Sequence, residues 1–153
     1  MCAQNPDQVG NRAVGDRLPP DAHRVALAVV LFSLNLLLLF MGEEHDERAP
    51  FRFFTDHIDP FIADATREGR RREFAAFASF SGGDVPDPQA EATFAGSRVG
   101  RGEADPLYAE LIRLRRELPR TLEVSAAGRV LTMRRGPKTL VADFDARTVG
   151  LHR

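Results

Sequence analysis

Apolar residues are concentrated in the first third of the chain and recur at regular spacing later. Residues 22–34 are apolar on every face of a helix, which predicts a buried helix beginning after Pro19-Pro20-Asp21. Residues 36–41 form a short apolar run that ends at Gly42. Such a run is typical of a strand buried on both faces of a parallel sheet. A helix followed by a parallel strand therefore predicts an α/β fold.

The same stretch has a second interpretation as a membrane-spanning helix. Residues 25–41 comprise 17 positions without a charge, and a helix needs about 17–25 residues to cross a bilayer. Asn35 in the middle would add a cost, and the flanking charges, Arg24 before and Glu43 after, give no clear anchor. The residues themselves leave this alternative open.

Two further helices are predicted from caps and periodicity. Asp59-Pro60 supplies an N-cap and a first-turn proline, and this helix is expected to run to about residue 77. Its apolar side chains available for burial are Phe61, Ile62, Ala65, Phe74 and Phe77. Asp105-Pro106 opens a second helix, in which leucines follow a 3.6-residue period at positions 107, 111, 114 and 118.

The remaining segments are predicted to be irregular or β-structured. Residues 81–105 are rich in Gly, Pro, Asp and Ser, which indicates a long excursion without regular structure. Three short β-like runs follow the last helix, near residues 122–124, 130–133 and 140–144, with Gly128 and Gly136-Pro137 in the turns between them.

Composition narrows the function classes. The chain has 153 residues, 43% of them hydrophobic and 28% charged, which is typical of a globular protein and too few for a complete eight-stranded barrel of about 250 residues. The net charge of −1 argues against nucleic-acid or anionic-membrane partners. A single cysteine, Cys2, and a polar first segment predict a reducing, cytoplasmic location without a secretory signal.

Isolated charged and aromatic clusters carry little chemistry by themselves. The acidic run 43–47 could bind a hard cation, but consecutive acids on a loop are more often solvated, so neither a metal nor a cofactor is expected. Arg70-Arg71-Arg72 lies between Glu68 and Glu73, which predicts a solvated helix face. The phenylalanines of residues 50–58 could stack on sugar rings or pack the loop.

The most specific motif is Asn5-Pro6-Asp7-Gln8-Val9-Gly10-Asn11-Arg12, followed by Gly15-Asp16-Arg17-Leu18-Pro19-Pro20. It resembles the loop after the seventh barrel strand in the α-amylase superfamily of glycoside hydrolases, and most closely that of maltooligosyltrehalose trehalohydrolases. Further segments resemble the same family in the same order, so the likeness covers nearly the whole chain: residues 38–44, 49–57, 68–74, 85–94 and 107–119.

The resemblance implies a fold and a reaction. Residues 1–119, including the excursion 81–105, would be the C-terminal part of a (β/α)₈ TIM barrel with its last strands and helices. Residues 120–153 would be the truncated start of a C-terminal β-domain. The implied enzyme hydrolyses the α-1,4 bond that joins trehalose to a maltooligosaccharide, without a cofactor.

The resemblance also implies the site residues. Asp7 would stabilise the transition state, and the implied substrate-binding residues are Asn5, Gln8, Val9, Gly10, Asn11, Arg12 and Glu43. Pro6 stands where the family usually has a histidine that contacts the sugar. The nucleophile and general acid lie on earlier strands in the family, so these 153 residues are expected to be inactive by themselves. The alternative is a non-catalytic module that binds carbohydrate or complements a separate N-terminal barrel half.

Overall fold

The computed structural model describes residues 1–75 and 85–153. In chain order, the described elements are helices α1 (Pro6–Gly10), α2 (Pro20–Phe32), α3 (Pro60–Ala75), α4 (Glu91–Ala95) and α5 (Pro106–Glu117), and strands β1 (Glu123–Ala127), β2 (Val130–Arg135), β3 (Lys138–Asp143) and β4 (Thr148–His152). A single 3₁₀ turn, Glu43–His45, lies between α2 and α3.

Contacts divide the chain into two compact units. The sheet unit comprises Met1–Asn5, Leu18–Glu47 and Arg101–Arg153, and the motif unit comprises Pro6–Arg17 and Arg48–Gly100. The sheet unit groups α2 and α5 with all four strands.

The core of the sheet unit lies between its two long helices and the sheet. Helix α2 contacts α5, β3 and β4, and its buried side chains join those of the other elements in one cluster: Val25, Leu27, Ala28, Leu31, Phe32, Leu111, Met133, Leu140 and Ala142. Burying each large aliphatic side chain stabilises the fold by about 1.5–3 kcal/mol. The predicted buried helix over 22–34 and the helix opened by Asp105-Pro106 are confirmed.

The two long helices of this unit begin differently: α5 has a side-chain N-cap and α2 has none. The Asp105 carboxylate accepts a hydrogen bond from the backbone N–H of Leu107 at 2.7 Å, and Pro106 takes the first helical position. Helix α2 begins at Pro20, and Asp21 lies in its first turn rather than at the cap.

The sheet is an antiparallel meander in the order β1-β2-β3-β4. Ala127 pairs with Val130, which leaves a two-residue turn with Gly128 at φ +58°, and Gly136 at φ +53° opens the next turn. The three predicted β-runs are confirmed. Strand β4 was not predicted, because Gly150 interrupts its apolar pattern and weakens the strand signal.

The prediction of a strand over residues 36–41 is wrong in the described structure, which has no sheet ladder there. Met1 donates its amino group to the Leu36 carbonyl at 2.8 Å, and the Leu38 N–H donates to the Met1 carbonyl at 3.0 Å. Met1 thus bonds to the residues on either side of Leu37, which is the hydrogen-bond pattern of two parallel strands. No strand is assigned over residues 36–41, so this pairing does not extend into a ladder.

A continuous helix over residues 25–41 is also not formed, because α2 ends at Phe32. Ser33 closes it, with its N–H bonded to the Val29 carbonyl at 3.1 Å and its hydroxyl to the Val30 carbonyl at 2.8 Å. Across residues 1–75 and 85–153, no helix is both long enough and apolar enough to cross a membrane.

In the motif unit, α3 begins where Asp59 accepts a hydrogen bond from the N–H of Phe61 at 2.8 Å. The predicted burial is confirmed for Phe74 and wrong for Phe61, Ile62 and Ala65, which are exposed, while Ala63 and Arg70 are buried. Phe77 lies outside the described residues. Helix α4 interrupts the predicted excursion 81–105, of which residues 81–84 are also outside them.

Candidate functional site

Residues 6–17 of the sequence motif form a short helix and a tight loop in the motif unit. Helix α1 covers Pro6–Gly10, and its turn is extended by hydrogen bonds from Asn11 N–H to the Asp7 carbonyl at 3.3 Å and from Arg12 N–H to the Val9 carbonyl at 3.1 Å. Pro6 occupies the first helical position, where the missing N–H costs nothing. Pro6 is therefore compatible with the local backbone.

The predicted site residues of α1, together with Asn11 just after it, divide into an exposed and a buried set. The side chains of Asp7, Gln8 and Asn11 are exposed, whereas Val9 and Gly10 are buried. Within residues 1–75 and 85–153, no hydrogen bond or ion pair engages the Asp7 carboxylate. The loop therefore presents a carboxylate and two amides outward and uses its apolar members to pack.

Arg12 is directed to its own loop. Its Nη1 donates to the Asp16 carboxylate at 2.8 Å and to the Asp16 carbonyl at 3.0 Å. This pair is largely exposed, with both side chains about half accessible to solvent. Exposed ion pairs contribute about 0–1 kcal/mol, so the contact orients Arg12 more than it stabilises the unit.

Gly15 fixes the loop against the segment that follows the 3₁₀ turn. Its φ is +69°, and its carbonyl accepts a hydrogen bond from the Phe51 N–H at 2.8 Å. A Cβ on residue 15 would lie 2.4 Å from the Phe51 carbonyl oxygen. Only glycine meets both the backbone angle and this close approach.

Arg70 of α3 is a further site-supporting residue, and the sequence prediction of a solvated face is wrong for it. Its Nη2 donates to the carbonyls of Gly10 and Arg12, each at 3.3 Å, and it is buried while Arg71 and Arg72 are exposed. Burial lowers the pKa of the Arg70 guanidinium, partly offset by Glu73. Arg70 lies four residues before Phe74 and therefore on the same face of α3, and this spacing was the sequence signal for its burial.

The aromatic loop of the motif unit is used for packing. Phe53 lies under the Arg70 guanidinium, with 4.5 Å from the Arg70 Cζ to the ring centroid. Phe51 and Phe54 pack edge to face at 6.0 Å, and Phe54 and Phe94 at 5.2 Å. Phe54 remains partly exposed.

Asn5 and Glu43 belong to the sheet unit. Asn5 donates its side-chain amide to the Cys2 sulfur at 3.5 Å, and beside it the buried Gln4 accepts a hydrogen bond from the Leu18 N–H at 2.8 Å. These contacts tie the start of the motif to the segment that leads into α2.

Glu43 is enclosed by its own unit. Its Oε2 accepts a hydrogen bond from the Phe40 N–H at 2.9 Å, and its Oε1 lies 3.6 Å from Nε2 of His23. His23 Nδ1 lies 3.3 Å from Asp46 Oδ1. The side chains of Glu43 and His23 are only 1% and 5% exposed. Glu43 therefore fixes the turn after residue 40 in this arrangement.

These groups form one wall of a pocket of about 300 Å³, whose floor is aliphatic and includes Leu27, Leu31 and Leu111. Tyr108 also lines it, and burial together with Glu44 and Glu43 raises the pKa of its phenol. Within the described parts of the chain, no three His, Cys, Asp or Glu side chains are grouped so that they could hold a metal ion.

Comparison with known proteins places the chain in a family. No protein-family model matches it. It is 43% identical to the malto-oligosyltrehalose trehalohydrolase of Deinococcus radiodurans over 130 aligned residues, which cover 77% of this chain and 22% of the relative. The same-named protein of Arthrobacter ramosus is 39% identical and covers 97% of this chain, and that of Rhizobium sp. (strain M-11) is 37% identical and covers 100%.

A solved structure agrees with these relatives. The crystal structure described as "Putative alpha Amylase from Salmonella typhimurium" is 35% identical, with a TM-score of 0.66, and the match covers 92% of this chain and 27% of that one. The chain spans 22–29% of the length of the three trehalohydrolases named above. It therefore belongs to the malto-oligosyltrehalose trehalohydrolase family and matches the C-terminal part of its members.

Proposed function

We propose that this chain carries the transition-state-stabilising part of a glycoside hydrolase site that releases trehalose from maltooligosyltrehalose. In this proposal Asp7 accepts hydrogen bonds from sugar hydroxyls as the ring gains oxocarbenium character during cleavage of the α-1,4 bond. Such contacts accelerate a reaction only when they strengthen in the transition state. The relatives named as trehalohydrolases supply the reaction.

The observation that carries the proposal is the state of Asp7. Its carboxylate is exposed and has no protein partner among the described residues, while the loop beneath it is fixed by Gly15 and Arg70. A carboxylate that only capped a turn would accept hydrogen bonds from its own loop. A free acceptor on a fixed backbone is suited to an external ligand instead.

The neighbouring residues then take two roles. Gln8 and Asn11 are exposed amides that can donate to and accept from sugar hydroxyls. Val9 and Gly10, being buried, support the backbone beneath these side chains, and Arg12 lies beside them in its ion pair with Asp16. Asn5 and Glu43 are proposed as substrate-binding residues on the family resemblance alone.

The finer fold assignment belongs to the same proposal. Residues 1–119 would correspond to the last part of a (β/α)₈ barrel and residues 120–153 to the beginning of a β-domain. The parallel pairing of Met1 with Leu36 and Leu38, followed by the apolar segment that ends at Gly42, supports this assignment. The match to an α-amylase-like structure over 92% of the chain supports it as well.

A polypeptide of these 153 residues should not turn over substrate by itself. A retaining glycosidase needs a nucleophile and an acid/base with carboxyl groups about 5–5.5 Å apart. The family resemblance assigns both groups to earlier barrel strands, which have no counterpart in residues 1–153. Binding of the substrate class, rather than catalysis, is therefore the property expected of this polypeptide.

Isothermal titration with maltopentaose tests this function. We expect saturable heat for the native chain and an affinity lower by about tenfold for Asp7→Asn, which changes the charge of the acceptor and keeps the shape of the side chain. Asp56→Asn, an exposed change in the same unit, is the control and should leave the affinity unchanged. If the native chain gives no more heat than dilution, the proposed binding function is refuted. If the Asp7 and Asp56 variants bind with equal affinity, the proposed role of Asp7 is refuted.

A second candidate function is to complement a separate polypeptide that supplies the rest of the barrel. In the segment 36–41, Leu37 and Leu39 pack on the core, whereas Leu36 is 90% and Leu38 54% exposed. An exposed apolar face on an extended segment is a place where a β-sheet can be continued by a partner. The proposed partner is a polypeptide that corresponds to the part of the relatives outside their match to this chain.

Light scattering after gel filtration tests this candidate with the N-terminal part of the Deinococcus radiodurans relative as partner. We expect a one-to-one complex, which Leu38→Glu prevents by placing a charge in the contact. Val124→Glu, at an equally exposed apolar position of β1, should not affect it. Separate elution of the native chain and the partner would refute complementation.

A further inference from the structure

Arg70 is an unusual buried cation in the motif unit. It is 8% exposed, although the adjacent Arg71 and Arg72 are solvent-accessible. Its guanidinium lies between two rings, with its Cζ 4.5 Å from the Phe53 centroid and 4.9 Å from the Phe74 centroid. Ring faces attract a guanidinium and remove it from water at a smaller cost than aliphatic neighbours would.

The donors of this guanidinium point at the end of α1. Nη2 of Arg70 reaches the carbonyl oxygens of Gly10 and Arg12, each at 3.3 Å. The last carbonyls of a helix have no partner within it and carry partial negative charge, so a cation placed there is favourable. The Arg12 carbonyl also accepts a hydrogen bond from the Gly15 N–H at 3.3 Å. Arg70 therefore bridges the two residues that close the exposed turn containing Asp7, Gln8 and Asn11.

We propose that Arg70 is a positioning residue for this turn: it holds the Gly10 and Arg12 carbonyls so that the Asp7 carboxylate keeps one orientation toward the sugar, which Arg70 itself does not touch. This inference deepens the proposed function and rests on it for the identity of the ligand. The positioning itself concerns only the protein and is measurable without any sugar.

The planar fork of arginine is needed for this role. One nitrogen must donate to two carbonyls while the plane of the group faces two rings. A lysine ammonium at residue 70 could reach a carbonyl as a point charge, but it lacks the flat surface that packs between Phe53 and Phe74. The proposal therefore predicts partial rescue by lysine and none by an apolar side chain of similar length.

Amide hydrogen exchange of the full chain tests the positioning role. Arg70→Met keeps the length and packing of the stem and removes the donors, Arg70→Lys restores one donor group, and Arg71→Met is the exposed control. We expect the amides of Asn11, Arg12 and Gly15, which are bonded within the loop, to exchange about tenfold faster in Arg70→Met. Arg70→Lys should fall between this variant and the native chain, and Arg71→Met should match the native chain.

Maltopentaose titration of the same proteins separates this inference from the proposed function. If Arg70→Met loosens the loop and weakens sugar affinity by a similar factor, the positioning role and the proposed sugar-binding function are both supported. If it loosens the loop while the native chain binds no sugar, the positioning stands and the proposed ligand fails. Unchanged exchange of Asn11, Arg12 and Gly15 overturns the inference, as does faster exchange spread over all of α3, which would mean a general structural role. Should Arg70→Met fail to fold, Arg70→Lys and Arg70→Gln carry the same comparison.

Discussion

Arg135 of β2 closes the end of α2 by donating from Nη1 to the Phe32 carbonyl at 3.2 Å, with its Cζ 5.7 Å from the Phe32 ring centroid. The same guanidinium donates to the carbonyls of Leu118 and Pro119 after α5. It is 1% exposed, and burial lowers its pKa. One side chain thus binds carbonyls at the C-terminal ends of both α2 and α5.

Arg135→Met should destabilise the sheet unit by about 3 kcal/mol. The apolar stem is kept, but the buried carbonyl of Phe32 and the partly buried carbonyls of Leu118 and Pro119 lose their charge-assisted donors. Urea unfolding followed by circular dichroism measures the change. Arg134→Met, the exposed neighbour on the same strand, should stay within about 0.5 kcal/mol of the native chain. Equal effects of the two variants would refute the capping role.

Gly15→Ala should destabilise the motif unit by more than about 2 kcal/mol. The residue has φ +69°, and the new Cβ would lie 2.4 Å from backbone oxygen of Phe51, which cannot rotate away. Gly69→Ala is the matched control, because it lies inside α3 with no atom within 4 Å of the new methyl group. The control should stabilise by about 0.5–1 kcal/mol. Thermal unfolding distinguishes the expected loss of stability in Gly15→Ala from the expected gain in Gly69→Ala. Unchanged stability of Gly15→Ala would contradict the described loop.

Pro6→His should raise the affinity for maltooligosaccharides by about threefold to tenfold. Histidine adds a hydrogen-bond donor beside Asp7, whereas proline has none. The same change should lower stability by about 0.4–1 kcal/mol, because proline restricts the unfolded chain. Titration calorimetry with Pro20→His, the same substitution at the first residue of α2, separates a sugar contact from a general effect. An unchanged affinity in folded Pro6→His would show that residue 6 does not face the sugar.

The Asp87–Arg67 pair should contribute stability that is lost in acid. Burial raises the pKa of Asp87, but the hydrogen bonds from Gln89 N–H and from Arg67 Nε, the latter at 2.9 Å to each carboxylate oxygen, outweigh it and hold that pKa below its ordinary value. The folded state therefore binds the proton more weakly than the unfolded state. The contribution is complete above the unfolded pKa of about 3.9 and is lost as pH falls through the lower folded pKa.

Urea titrations between pH 2 and 6 measure this contribution. The native chain should be more stable than Asp87→Asn at pH 6, and the difference should shrink as pH falls below about 4. In an Arg67→Met background the pH-dependent part of that difference should be smaller, because one of the interactions that lower the Asp87 pKa is gone. A difference that stays constant across the pH range would contradict the pairing.

The elements with strong local signals could be predicted from the sequence. Helix α5 has both a cap at Asp105 and a leucine period, and the turn glycines 128 and 136 define the hairpins. The segment 36–41 was misassigned, because its composition specifies a buried strand but the ladder partners of a strand must come from elsewhere in a structure. Strand β4 was missed because pairing with β3, not propensity, determines it.

The candidate site divides in the same way. The exposed Asp7 was located by the family resemblance, since one aspartate in a turn has no distinguishing pattern of its own. The enclosed carboxylate of Glu43 and its approach to His23 depend on tertiary packing, which the acidic run 43–47 does not encode. Arg70 was assigned to a solvated face because a charge in an arginine run is usually exposed, and its burial depends on Phe53, 17 positions away.

Trehalose release from maltooligosyltrehalose tests the central claim most directly. Three samples are assayed: the native chain by itself, the native chain mixed with the N-terminal part of the Deinococcus radiodurans trehalohydrolase, and the Asp7→Asn variant mixed with the same partner. The account predicts no release by the chain, release by the native mixture, and release reduced by about a hundredfold or more with Asp7→Asn. Turnover by the chain without a partner, or an assembled mixture that releases trehalose equally well with Asp7→Asn, would contradict it.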